Sequence, residues 1–177
     1  MKNEDYINVG TNKCEITNND NKIIGCNSLI TCIGILLYSE KYKIAGLLHK
    51  SIDGDANDDY IKQRNYNLLI EFACKLEQEI VLQNGESEDK NIKYLIIQPA
   101  IYTDKTVDYI NLYESLLKTN GYVEFSNEEL SNVNIMTTQI GENELVNNFA
   151  FDASTGNFVT KEIFKEEFID IMNIKRR

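Results

Sequence analysis

The chain of 177 residues is long enough for one domain with a sizeable hydrophobic core, and we expect a single domain over residues 1–177. Hydrophobic residues make up 42% of the chain and charged residues 26%, a balance typical of folded globular proteins. The formal net charge of −10 argues against a nucleic-acid partner, and no apolar run is long enough for a membrane span. The N-terminal stretch lacks the basic and apolar segments of a secretory signal, so we expect a cytoplasmic protein.

Short apolar, β-favouring runs alternate with polar segments and a few helical stretches. The predicted strands are residues 6–9, 33–38, 44–48, 94–97, 122–125, 133–138, 149–152 and 157–159. Helical spacing of apolar residues predicts a helix from Leu69 to Ile80, a second from Val107 to Leu117 that ends at Gly121, and a C-terminal helix over residues 163–172. This mixture predicts a layered α/β or α+β domain.

The four cysteines do not form a recognisable metal or redox motif. Cys14, Cys26, Cys32 and Cys74 lack the paired C-x-x-C spacing of zinc ribbons and thioredoxin-like sites. Four cysteines are also few for a disulfide-stabilised chain of this length, so we expect reduced thiols.

The predicted strands at residues 33–38 and 44–48 are joined by a short polar link, which predicts a β-hairpin. With the turn centred between residues 40 and 41, Cys32 lies directly opposite His49, the only histidine in the chain. Directly opposed residues share a face, with Cβ atoms roughly 4.5–5.5 Å apart. We therefore expect the thiol and the imidazole to touch, with Gly34 leaving space for a substrate beside the sulfur.

A cysteine in contact with a histidine has a known chemistry. The imidazole can take the thiol proton, and the thiolate is then a strong nucleophile. The same imidazole can later protonate a leaving amine or activate water. Two other interpretations remain open at this stage: a buried structural cysteine beside a hydrogen-bonded histidine, and a metal site built from Cys26, Cys32 and His49, for which no fourth ligand is apparent.

The segment around this pair resembles the chemoreceptor glutamine deamidase family CheD. That family carries Leu-Gly-Ser-Cys, then an apolar strand ending Leu-Tyr-Asp, then Gly-Gly-x-Ala-His. The present chain has LITC ending at Cys32, then LY, then AGLLH ending at His49. The step of 17 residues from cysteine to histidine matches the family. The stretches YINVGTNKCEIT, KYLIIQPAIY and FAFDASTGNFVTKE extend the similarity along the chain, and the cytotoxic necrotizing factors share the Cys–His arrangement.

The resemblance implies an α/β/β/α sandwich of mixed sheets and the hydrolysis of a protein glutamine side chain to glutamate and ammonia. Cys32 is the implied nucleophile and His49 the implied base, and the reaction needs no cofactor or metal. The implied partner is a protein that presents a glutamine, either a chemoreceptor or, for a protein secreted into a host cell as an effector, a host protein.

The family's threonine that orients the histidine lies six residues before the cysteine, which is the position of Cys26 here. A thiol is a weak hydrogen-bond partner, so either Cys26 fills this role or Ser28 or Thr31 supplies a hydroxyl. Main-chain N–H groups near Cys32 are the expected donors to an oxyanion.

Several positions depart from the family pattern. Family glycines are replaced by Ile30 and by the pair at residues 98–99, which opens the alternative of a catalytically silent protein-binding module. In the acidic stretch after His49, Asp53 or Asp55 could orient the imidazole or simply belong to a solvated loop.

Overall fold

The computed structural model describes residues 6–84, 91–131, 136–140 and 144–159. Along the chain the elements are β1 (Tyr6–Asn8), β2 (Lys13–Ile16), β3 (Ile23–Leu29), β4 (Ile33–Ser39), β5 (Ile44–Lys50), α1 (Asp59–Asn84), β6 (Lys93–Ile97), α2 (Thr106–Thr119), β7 (Val123–Glu124), α3 (Asn127–Leu130), β8 (Met136–Ile140), β9 (Glu144–Asp152) and β10 (Asn157–Phe158). None of the helices within these ranges combines the length and the apolar composition needed to cross a bilayer.

The strands form two mixed sheets. Sheet 1 has the order β2-β5-β4-β6-β7, in which only the β6–β7 pair is parallel. Sheet 2 has the order β1-β3-β9-β10, with β8 also pairing with β9, and its β1–β3 pair is parallel. The described part of the chain is therefore a mixed α/β structure, as the sequence predicts.

Sheet 1 lies in the middle of three layers. Every residue of β4 and β5 is buried, because helices cover one face and sheet 2 covers the other. The helix-facing cluster includes Ile33, Ile35, Leu37, Ile44 and Leu48 from sheet 1, with Leu69, Phe72, Leu76, Ile80, Tyr109, Tyr113 and Leu117 from α1 and α2. The cluster between the sheets includes Leu36, Tyr38, Ala45 and Leu47, with Ile24, Cys26, Leu29, Phe149 and Phe151 from sheet 2. Alternate residues of one strand thus supply two separate cores.

Most predicted elements are present, with changed boundaries. The helices α1 and α2 contain the predicted apolar stripes, and Gly121 follows α2 with a φ of +82°, as expected of a glycine that ends a helix. The strands β2 and β3 were not predicted. The predicted C-terminal helix over residues 163–172 lies outside the described residues.

The hairpin register differs from the predicted one. Gly34, and not Cys32, lies directly opposite His49, so facing residues have numbers that sum to 83 instead of 81. The reason is the turn: residues 40–43 form the loop, and Lys43 adopts a left-handed conformation with a φ of +56°. Because the register shift is two residues, the alternation of faces is unchanged. Cys32 therefore lies on the same face of sheet 1 as His49, two residues before Gly34, and is its diagonal neighbour instead of its direct partner.

Candidate active site

The His49 side chain points from the middle of sheet 1 towards sheet 2 and is fully buried, with 0% of its surface exposed. Its Nδ1 atom lies 3.1 Å from the main-chain oxygen of Val9 and 3.2 Å from the Cys26 sulfur. A carbonyl oxygen can only accept a hydrogen bond, so Nδ1 carries the proton of the neutral ring and donates it to Val9. The Cys26 sulfur serves as a second, weaker acceptor at the same nitrogen.

The other ring nitrogen, Nε2, is buried, and among the described residues it has no hydrogen-bond partner. With the proton on Nδ1, this atom presents a lone pair. Burial lowers the pKa of His49 below its ordinary value of 6.5, and the hydrogen bond to Val9 only partly opposes that effect. The ring is therefore neutral at neutral pH and can accept a proton at Nε2.

The turn between β1 and β2, which links the two sheets, holds both the side chain and the main chain of His49. The Val9 N–H donates to Gly25 at 2.9 Å, which ties the turn to sheet 2. The Asn12 N–H donates to the main-chain oxygen of His49 at 2.7 Å, and Asn12 holds the turn with a φ of +57°. The role of Val9 could not be predicted from the sequence, because a main-chain carbonyl leaves no signal in the choice of side chain.

Cys32 lies just before β4 and is partly buried against the cluster between the sheets. Burial raises the pKa of its thiol; the Lys50 charge acts against this rise and the Asp53 charge adds to it. In the described part of the chain, no hydrogen bond joins the Cys32 sulfur to the imidazole of His49. The thiol and the ring thus share a face as two neutral groups, without a preformed ion pair.

The space expected above Gly34 is filled. A Cβ atom at this position would lie 3.3 Å from the Ile97 side chain and 3.4 Å from that of Leu29. Ile97 is also the partner of Gly34 in the β4–β6 ladder. The expectation that Gly34 leaves room for a substrate is therefore wrong, and Gly34 instead allows apolar side chains to pack closely across the strand.

Of the three residues considered for orienting the ring, the structure places Cys26 in contact with it. Thr31 is exposed and is not hydrogen-bonded to His49, and the Ser28 side chain lies outside the described part. Neither aspartate orients the imidazole: Asp53 binds Lys50 and Ser51, while Asp55 accepts from the N–H of Asn57.

The backbone just before Cys32 is held by the segment after β6. Ala100 donates to the Leu29 carbonyl at 3.1 Å, and Ile101 donates to the Ile30 carbonyl at 2.8 Å. Among the described residues, the N–H groups of Thr31 and Cys32 have no main-chain acceptor. They are available next to the sulfur, where an oxyanion would form.

No protein-family model matches the chain, and no curated protein matches it significantly. Within the described ranges, no group of three or more His, Cys, Asp or Glu side chains is arranged to hold a metal ion. None of the four cysteines forms a disulfide bond.

Proposed function

We propose that the protein is a cysteine hydrolase that deamidates a glutamine side chain on a protein substrate. The observation that carries this proposal is the state of His49: Nδ1 is anchored to Val9 and Cys26, and the free Nε2 belongs to a ring on the same face as Cys32. The sequence resemblance to the CheD family, which rests on the same cysteine and histidine, supports the choice of substrate.

In the proposed reaction His49 Nε2 takes the thiol proton of Cys32, and the sulfur attacks the carboxamide carbon of the glutamine. The N–H groups of Thr31 and Cys32 stabilise the negative oxygen of the tetrahedral intermediate. The imidazolium then gives its proton to the amide nitrogen, and ammonia departs. The glutamine acyl group remains bound to Cys32 as a thioester. A water molecule, deprotonated by Nε2, hydrolyses the thioester to glutamate, and the proton returns to the thiol.

The proposed first step requires a rearrangement, because the thiol and the ring are not hydrogen-bonded in the described structure. Rotation of the Cys32 side chain about its Cα–Cβ bond is the smallest change that moves the sulfur relative to the ring. Catalytic hydrogen bonds often tighten only when the substrate is bound. We expect the bound glutamine amide to favour the rotamer that brings the sulfur to Nε2.

The test is ammonia release from the dipeptide benzyloxycarbonyl-glutaminyl-glycine, from casein, and from a chemoreceptor cytoplasmic fragment. We expect release from at least one of them, with glutamate replacing glutamine in the mass spectrum. Cys32→Ser and His49→Ala should abolish it, whereas Cys74→Ser, at an exposed position on α1, should not. Ammonia release that survives in Cys32→Ser would overturn the assignment of the nucleophile.

A catalytically silent protein-binding module is the second candidate. It is favoured by the raised pKa of Cys32 and by the absence of a hydrogen bond between Cys32 and His49 in the described structure. If this candidate is correct, none of the three substrates releases ammonia. The choice between a chemoreceptor and a host protein follows from the same assay, since a chemoreceptor substrate predicts that the receptor fragment outperforms casein.

A further inference from the structure

The end of β5 beside Cys32 contains a buried lysine. Lys50 follows His49 directly, and its side chain is only 5% exposed. Charged side chains are rarely buried to this extent unless they are paired. The Lys50 ammonium donates to the main-chain oxygen and, at 3.4 Å, to the hydroxyl of Ser51, and it lies 3.2 Å from the Asp53 carboxylate.

The hairpin register places Lys50 at the same end of sheet 1 as Cys32. Lys50 pairs with Ile33 and belongs to the helix side of the sheet, whereas Cys32 lies on the side between the sheets. The Lys50 ammonium reaches the end of the sheet through its hydrogen bonds to Ser51, the residue that would lie across from Cys32 if the ladder continued by one step. The sequence resemblance offers no counterpart to this lysine.

We propose that the Lys50 ammonium stabilises the thiolate form of Cys32 across the end of sheet 1, and that Asp53 weakens this effect by partly neutralising the ammonium. This inference deepens the proposed function, on which it rests. It makes Lys50 a supporting residue for the nucleophile, since the lysine acts on the sulfur through space and does not touch the substrate.

The other ionisable groups around Cys32 do not supply this charge. On β5 the imidazole of His49 is neutral, and on β3 Cys26 contributes a second thiol. From α1 the Arg64 guanidinium reaches the Asp53 carboxylate at 4.0 Å. The segment after β6 contributes Tyr102, which donates to Gln98.

Lys50 and Asp53 act on the pKa of Cys32 in opposite directions. Burial is the largest influence and raises the pKa of Cys32; the Lys50 charge lowers it and the Asp53 charge raises it. The two variants that remove these charges should therefore act in opposite directions. A purely structural role for the ion pair does not predict this, because loss of either partner would then disturb the site in the same way.

The experiment is the pH dependence of iodoacetamide alkylation, followed at each cysteine by mass spectrometry, with exposed Cys74 as the internal control. Alkylation rates follow the thiolate fraction, so Lys50→Met should slow the alkylation of Cys32 at about pH 7 by about threefold or more and raise its pH midpoint. Asp53→Asn should lower the midpoint, and Lys50→Arg should restore the original profile.

Midpoints that move in the same direction in Lys50→Met and Asp53→Asn, or that do not move, overturn the inference. Asp53 is more than half exposed, with 54% of its side chain accessible, so Asp53→Asn should fold even if Lys50→Met does not. Alkylation does not depend on glutamine turnover. Failure of the deamidase assay and failure of this inference therefore give different results.

Discussion

Protonation of His49 should destabilise the protein, and the structure specifies in which pH range. The imidazole is fully buried, and Nδ1 already donates its proton to Val9. A second proton would have to go to Nε2, which has no acceptor in the described structure. The pKa of His49 in the folded state therefore lies below its ordinary value of 6.5, mainly because burial penalises the charged ring.

The sign of the stability effect follows from this direction. Between the ordinary pKa of 6.5 and the lower folded pKa, the unfolded chain binds a proton that the folded chain does not. The stability from the neutral ring is fully present above that range and is lost as the pH falls through it. The loss approaches about 1.4 kcal/mol per pH unit until the folded pKa is reached.

The assay is urea unfolding of the wild type and of His49→Gln, a variant that cannot titrate in this range. Between about pH 7.5 and about pH 5.5 we expect the free energy of unfolding to fall by about 1 kcal/mol more in the wild type than in the variant. Because the chain has one histidine, its imidazole NMR signals give the midpoint directly. A midpoint at or above 6.5, or the same pH dependence in both proteins, would refute the buried, neutral ring.

Two further substitutions test the surroundings of the site. Cys26→Ala should reduce the free energy of unfolding, measured in urea, by about 1–2 kcal/mol, since it leaves a small cavity. The imidazole NMR spectrum of this variant should still show the proton on Nδ1, because Val9 remains its acceptor. A change of tautomer would contradict this expectation. Gly46→Ala should reduce the free energy of unfolding by about 1–3 kcal/mol in the same measurement, because the new Cβ would lie 2.6 Å from the Ile16 side chain and 2.8 Å from the Phe72 ring. An unchanged free energy of unfolding would show that these neighbours, including α1, can move away without loss of stability.

The sequence predicts the centre of the fold better than its edges, for a physical reason. The strands β4 and β5 are buried on both faces and read as continuous apolar runs, while α1 and α2 repeat apolar residues at the helical period. The missed β2 is a half-exposed strand with alternating burial, and β3 contains glycine, asparagine and serine. Tertiary pairing, with β5 and with β9, places these residues in strands despite their weak local preference.

The site was partly predictable because a pairing register that is wrong by an even number of residues still assigns each side chain to the correct face of the sheet. The turn centre was misplaced by one residue, which shifts the pairing register by two residues, since Lys43 adopts its left-handed conformation without the glycine or asparagine that usually signals one. A register error of one residue would have put Cys32 and His49 on opposite faces. Residue types alone could not indicate the hydrogen bond from the ring to the Val9 carbonyl or the burial of Lys50, because both depend on tertiary contacts between distant parts of the chain.

Proton energetics decide how the proposed pair can work. The ordinary pKa values of a thiol and an imidazole, 9.0 and 6.5, already oppose transfer from sulfur to nitrogen by about 3.4 kcal/mol. Here burial raises the first value and lowers the second, so it widens the gap. In the described geometry both groups are therefore neutral, and we expect the proton to move as the sulfur attacks. Of the two charges that act on the sulfur, only that of Lys50 narrows the difference between the two pKa values, so we expect its removal to hinder the proposed proton transfer.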